Sequence, residues 1–138
     1  EMFVKAFGRK STDAGRNDLV IRGDGANLLV YFNIPHELAI RVMRSADIVI
    51  DQIGPHGIYG TVAAEAMALG KPVFANIERG FYPEDCPVLM PRALKFVELA
   101  FHEDARKYWG KRGREYAERV HDSVVVAKKA LDTYTANL

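Results

Sequence analysis

Asp47-Ile-Val-Ile-Asp51-Gln-Ile-Gly54-Pro-His56-Gly57-Ile-Tyr-Gly60-Thr-Val-Ala-Ala-Glu65-Ala-Met-Ala-Leu-Gly70-Lys-Pro72-Val-Phe-Ala75 carries the fold in one stretch. Asp47–Asp51 is a short apolar run, as a buried parallel strand should be. Gly54, Gly57 and Gly60 then loosen the backbone. From Thr61 the pattern turns helical, with Val62, Ala63, Ala66 and Met67 at helical spacing. Gly70 suits a left-handed C-terminal cap, and Pro72 cannot continue a helix. An apolar strand resumes over Val73–Ile77. The reading is one βαβ unit whose loop feeds a helix N-terminus.

That junction is where chemistry is expected. The first turn of a helix leaves backbone N–H groups unpaired, and the macrodipole adds partial positive charge. Ligands of an open parallel sheet collect at the carboxyl ends of its strands. Gly57, Ile58, Tyr59, Gly60 and Thr61 therefore form a candidate cradle for phosphate or sugar hydroxyls. Glu65, one turn into the helix, can accept ribose hydroxyls; the plainer alternative is a packing helix with a solvated Glu65. His56 sits in the same loop. It is read either as a catalytic group that bonds a sugar hydroxyl or the leaving phosphate, or as a plain loop residue.

The rest of the chain is read around that unit. Its 138 residues suit one domain with a real core. Nineteen basic against eighteen acidic residues leave a net charge of +1, which gives a nucleic-acid partner no support. Cys86 is the single cysteine, so there is no disulfide framework, and a reducing, cytoplasmic setting fits. It is read as a structural thiol. No apolar run approaches the roughly 20 residues needed to cross a bilayer, and no signal peptide is visible. No residues stand at metal-ligand spacing, and no cofactor is implied.

Glu1–Lys10 is expected to be a helix, with Met2, Phe3, Ala6 and Phe7 on one face. A loop over Ser11–Asn17 and strands over Asp18–Arg22 and Leu28–Phe32 follow. His36–Ala46 reads as a helix with Leu38, Ala39, Val42, Met43 and Ala46 inward. His36 itself reads as a surface residue. Past a loop-rich stretch, Val88–Met90 is the last strand. Arg92–His102 is a helix with Leu94, Val97 and Phe101 inward. Glu103–Val120 is another, with Tyr108, Trp109, Tyr116 and Val120 as apolar contacts and Gly110 and Gly113 as weak points. Asp122 or Ser123 caps a final helix whose Ala127, Leu131 and Tyr134 form a buried stripe.

Gly60-Thr-Val-Ala-Ala-Glu65-Ala-Met-Ala-Leu-Gly70-Lys-Pro-Val73 resembles the signature of retaining GT-B glycosyltransferases of the family-4 type (glycosyl transferases group 1). Gly23-Asp-Gly25, Pro35-His-Glu-Leu38, Ala46-Asp-Ile-Val49, Tyr82–Val88 and Gly113–His121 add matches in the family's order. The resemblance implies an α/β fold, a Rossmann-like parallel sheet with helices on both faces, forming half of a GT-B fold. It implies a single donor-binding domain over residues 1–138, which would act with an N-terminal acceptor-binding domain and be inactive alone. The activity implied is metal-independent transfer of a hexosyl group from a nucleotide diphosphate sugar to an acceptor. It leaves room for peripheral membrane association of the full enzyme. A nucleotide-sugar epimerase and a non-enzymatic nucleotide-binding module are the alternatives.

By the same resemblance Glu65 contacts the ribose, and Gly23, Asn33 and Ile34 join the substrate site, the last two by position in the loop that packs on the base. The family motif pairs Glu65 with an earlier glutamate facing the sugar. Gly57 stands at that place here, so nucleotide binding is better supported than sugar contact. The family opens this domain with a strand, a Gly-Arg loop and a lysine that hold the diphosphate. Gly8-Arg9-Lys10 follows the expected helix, so the role is not carried to it and the first strand is read as absent. Finally, an apolar run, an Asp-Gly turn and a second apolar run read locally as a hairpin. The family has two parallel strands there, which need a crossover of about a dozen residues. Family order favours parallel strands with chain missing between Gly25 and Leu28.

Overall fold

The computed structural model describes residues 2–8, 18–23, 26–32, 34–55 and 57–137. The chain is mixed α/β and mostly helical. Five strands, β1 (Met2–Gly8), β2 (Asp18–Gly23), β3 (Ala26–Phe32), β4 (Ile48–Ile50) and β5 (Val73–Phe74), form one sheet in the order β2-β3-β1-β4-β5. The helices are α1 (His36–Arg44), α2 (Thr61–Ala68), α3 (Ala93–Phe101), α4 (Glu103–Val120) and α5 (Ser123–Ala136), with a short 3₁₀ turn at Arg79–Phe81. Among the described residues no helix is long and apolar enough to cross a membrane.

Two expectations at the start of the chain are overturned. Met2–Gly8 is a strand, paired in parallel with β3 on one side and β4 on the other. Met-Phe-Val-Lys-Ala-Phe-Gly satisfies helical spacing, but it is also a nearly continuous apolar run, and periodicity alone does not separate the two in so short a segment. The inference that the first strand is absent rested on that helix and falls with it.

The second correction concerns β2 and β3. They are antiparallel, in register from Asp18↔Tyr31 to Gly23↔Ala26. Only Asp24 and Gly25 separate the last pair, and both lie outside the described residues. A two-residue Asp-Gly connection is what a tight hairpin favours. The local turn signal was right, and the expected parallel pair with chain missing between its strands is not what forms.

The central βαβ unit is as expected. β4 and β5 pair in parallel through Val49↔Val73 and Ile50↔Phe74. Leu89 extends the sheet by a single parallel bridge to Phe74, less than the full strand expected at Val88–Met90. Alternation along the strands divides the core, because successive side chains point to opposite faces. Val49, Val73, Ala75 and Val88 join Met43 of α1, Ala63, Ala66 and Met67 of α2, and Tyr116 and Ala117 of α4. Ile48, Phe74 and Leu89 join Leu99 of α3, with Phe96 and Trp109 against them. Cys86 is buried and free, as a structural thiol should be.

Two helices present different faces from those expected. On α3, Leu94 and Phe101 are largely exposed and Val97 half so, while Leu99 is fully buried and Phe96 contacts Phe74 at 5.7 Å between ring centres. This helix is apolar nearly all round, so spacing could not choose between the two faces. On α5, no residue is buried; Leu131 and Tyr134 are exposed. Its N-terminus is capped by Asp122, whose Oδ1 accepts from Val124 N–H at 2.9 Å. Tyr108 is likewise exposed.

Helix α2 ends as the sequence suggests. Gly70 has φ +70°, Lys71 N–H bonds Ala66 O at 2.9 Å and Gly70 N–H bonds Met67 O at 2.9 Å, the paired bonds of a Schellman ending. Gly110 and Gly113 are not weak points of α4 but the places where it meets this ending. A Cβ on Gly110 would lie 2.2 Å from Gly70 O, and one on Gly113 would lie 3.3 Å from Met67 Cγ. Alanine normally gains about 1 kcal/mol over glycine inside a helix; the backbone clash outweighs that. We predict that Gly110→Ala destabilises the fold by about 2 kcal/mol, seen as a lower urea midpoint. Leu131→Ala, at a side chain 62 % exposed, should change stability by less than about 0.5 kcal/mol.

Candidate functional site

β1, β3, β4 and β5 run the same way, so their carboxyl ends share one edge of the sheet. Gly8, the Ile34–Pro35 entry to α1, the loop at residues 51–60 and the start of the loop after β5 lie along that edge. β3 and β4 flank β1, with the α1 connection passing across it. That reversal of strand order is the place where open α/β sheets hold ligands. The structure therefore gathers Ile34, Gly57, Ile58, Tyr59, Gly60, Thr61 and Glu65 at one edge. Gly23 does not join them. Because β2 is antiparallel, Gly23 pairs with Ala26 at the opposite end of β3, about 20 Å away for a strand of that length. His56 and Asn33 lie outside the described residues.

The glycine loop differs from the open anion cradle expected of it. Gly60 N–H donates to Asp51 Oδ2 at 2.6 Å, and Tyr59 N–H donates to Tyr82 Oη at 3.1 Å. Asp51, the residue after β4, thus places its own carboxylate at the N-terminus of α2, where negative charge is favoured. Burial pushes the Asp51 pKa up, while the bonds from Gly60, Ala63 and Gln52 oppose that rise. Gly57, Ile58, Thr61 and Val62 keep N–H groups with no bond to a described residue. A Cβ on Gly60 would meet Gln52 Nε2 at 2.9 Å and Asp51 Oδ2 at 3.4 Å. A bulky side chain there would disturb this cap as well as any ligand path. Gly57 has φ +70°, so it is a backbone-conformation residue in its own right.

Glu65 has a partner that sequence spacing did not suggest. His36 Nε2 lies 2.7 Å from Glu65 Oε1, joining the first residue of α1 to α2. The carboxylate can only accept, so the imidazole Nε2–H donates. His36 is 71 % exposed at its side chain and Glu65 25 %. The two residues are 29 apart in sequence, and no local pattern relates them.

Behind the loop, Tyr59 stacks on Tyr82 with ring centres 4.7 Å apart. Its hydroxyl lies 2.8 Å from His121 Nε2 at the α4–α5 junction. Burial holds the Tyr59 phenol well above its ordinary pKa. Burial, and then the Lys129 charge, hold the His121 imidazole below its own. Both shifts favour the neutral forms of the two groups that share this hydrogen bond. Arg79 donates to Cys86 O at 2.8 Å and Val88 O at 2.6 Å, which closes the loop carrying Tyr82.

Two surface cavities lie away from this edge. One of about 400 Å³ is lined by Asp47, Lys71, Arg106 and Lys107 at the amino end of the strands. Another of about 210 Å³ lies beside Asp85, Arg112 and Arg119. Among the described residues, no three His, Cys, Asp or Glu side chains are grouped to hold a metal ion. Comparisons with protein-family models, with curated proteins and with solved structures give no match to this chain.

The Tyr59–His121 contact makes a pH prediction. His121 binds a proton more readily unfolded than folded. Its contribution to stability is complete above the ordinary imidazole pKa of about 6.5. It is lost as pH falls through the lower folded value. Urea midpoints at about pH 7.5 and 5.5 should show a larger acid loss in wild type than in His121→Gln, which does not titrate. Equal losses would exclude His121 as the responsible group.

Proposed function

We propose that this chain is the donor-binding domain of a GT-B-type glycosyltransferase, with a Rossmann-like sheet that receives a nucleotide diphosphate sugar at its carboxyl edge. The observation that carries the reading is the meeting of Glu65 with the β3–α1 junction, through the 2.7 Å bond to His36. A nucleoside laid along that edge would place its base on the backbone around Ile34 and its ribose at Glu65. The strand character of Met2–Gly8 strengthens the case. Arg9 and Lys10 come next after a strand that ends in Gly8, the order in which the resembled family places its diphosphate-binding residues. In this reading Arg9 and Lys10 supply the positive charge, because Asp51 already occupies much of the α2 N-terminus.

Gly57 lacks the sugar-facing carboxylate of the resembled motif, but Glu78 stands beside it. Glu78 N–H bonds Gly57 O at 2.7 Å, and a Cβ on Gly57 would touch Glu78 Cβ at 3.2 Å. In this proposal Glu78 brings an exposed carboxylate to the place the motif leaves empty. His56 remains the proposed catalytic group of the loop. The second reading is a nucleotide-binding module without transfer activity. The Asp51 carboxylate at the α2 N-terminus favours it, since a group placed there repels a departing diphosphate rather than stabilising it.

Calorimetry with uridine, guanosine and adenosine diphosphates tests the site. Glu65→Gln should weaken binding by about 1.5–3 kcal/mol, the range for hydrogen bonds to a charged group. Arg9→Ala should weaken diphosphate binding more than monophosphate binding. Glu78→Gln should leave the free nucleotide unaffected and weaken the nucleotide sugar. Wild type that binds none of the nucleotides would reject the reading. Glu78→Gln that binds the nucleotide sugar like wild type would favour the module.

A further inference from the structure

Glu65 is three-quarters buried, yet its carboxylate makes one bond among the described residues, to His36. A half-committed carboxylate at a sheet edge has a free oxygen and several rotamers. Hydroxyl recognition requires one rotamer, held before the ligand arrives, because ordering a long side chain on binding subtracts from affinity. His36 is suited to hold it. It is the first residue of α1, so its position is fixed by the helix and by Ala39 N–H bonding Pro35 O at 3.0 Å. Its imidazole is rigid, and its Nε2–H donates to Oε1 alone. Among the described residues no group bonds Oε2 or the second lone pair of Oε1, and these can accept two further donors. A vicinal diol supplies two such donors at a spacing a single carboxylate can accept.

We propose that His36 is a positioning residue that orients the Glu65 carboxylate for the 2′- and 3′-hydroxyls of a ribonucleotide, so that discrimination between ribose and deoxyribose depends on it. This rests on the reading of Glu65 as the ribose contact. His36 does not touch the nucleotide; it acts through Glu65. Its high exposure separates this role from a structural one, since an exposed side chain at a helix start contributes little to the core.

The experiment measures the affinity of wild type, His36→Ala, His36→Gln and Glu65→Gln for the tightest-binding of uridine, guanosine and adenosine diphosphates, and for its 2′-deoxy form. Thermal midpoints are recorded alongside. The expected result for His36→Ala is an unchanged midpoint and about tenfold weaker ribonucleotide binding, near 1.4 kcal/mol. The deoxynucleotide should change far less, so the ribose preference shrinks. His36→Gln, which keeps an N–H donor, should recover most of the preference. If Glu65→Gln loses the preference while His36→Ala keeps it, His36 has no positioning role and the Glu65 reading stands. If Glu65→Gln also keeps it, or wild type binds no nucleotide, the Glu65 reading fails and this inference with it.

Discussion

Helix α2 is fixed at both ends by groups from other parts of the chain, and the loop, the core and the candidate site all take their positions from it. At its start the Asp51 carboxylate accepts Gly60 N–H at 2.6 Å. At its end Gly70 takes a left-handed turn, and α4 meets that turn through Gly110. Arg114 adds a bond to Ala68 O, one of the carbonyls left unpaired at the helix C-terminus. Eight residues are too few for a helix to persist alone in water. These external caps, with the burial of Ala63, Ala66 and Met67, make it stable.

The same arrangement decides what kind of ligand the edge can favour. A carboxylate at the helix N-terminus satisfies N–H groups that a phosphate would otherwise use, and it adds negative charge beside them. Burial raises the Asp51 pKa, so its ionised form already lacks full solvation. An incoming diphosphate must then find its positive charge outside this loop. Hydroxyl groups face no such opposition, because they donate to carboxylates. With Asp51 committed to its own loop, Glu65 and Glu78 are the carboxylates that the proposed reading turns to ribose and sugar hydroxyls.

How far the sequence revealed this depended on whether a signal was local. The βαβ unit, the Gly70 ending and the Asp122 cap each rest on neighbouring residues, and each formed as read. The Asp-Gly signal in the sequence is also local, and it agrees with the antiparallel β2–β3 pairing against the order borrowed from a resembled family. Met2–Gly8 was ambiguous because an apolar run flanked on both sides lacks the alternation that marks a half-exposed strand. The outward face of α3 was unreadable for a similar reason. Leu94 and Leu99 are equally apolar, and the cluster of Ile48, Phe74 and Leu89 beneath the helix selects between them.

The site was less legible than the fold, since its geometry is made of contacts between distant residues. His36 opens one helix and Glu65 lies one turn into another, but nothing between them announces a bond. Tyr59 and His121 are separated by 62 positions and meet only because α4 returns along α2 to the loop. Asp51 was read as the end of a strand, though its carboxylate caps the next helix. In each case the sequence shows the residue type but not its partner. A hydrogen-bonding side chain near a chain reversal has several potential partners, and tertiary packing chooses among them. Here packing chose Gly60 for Asp51 and His36 for Glu65, and among the described residues Glu65 Oε2 has no bond.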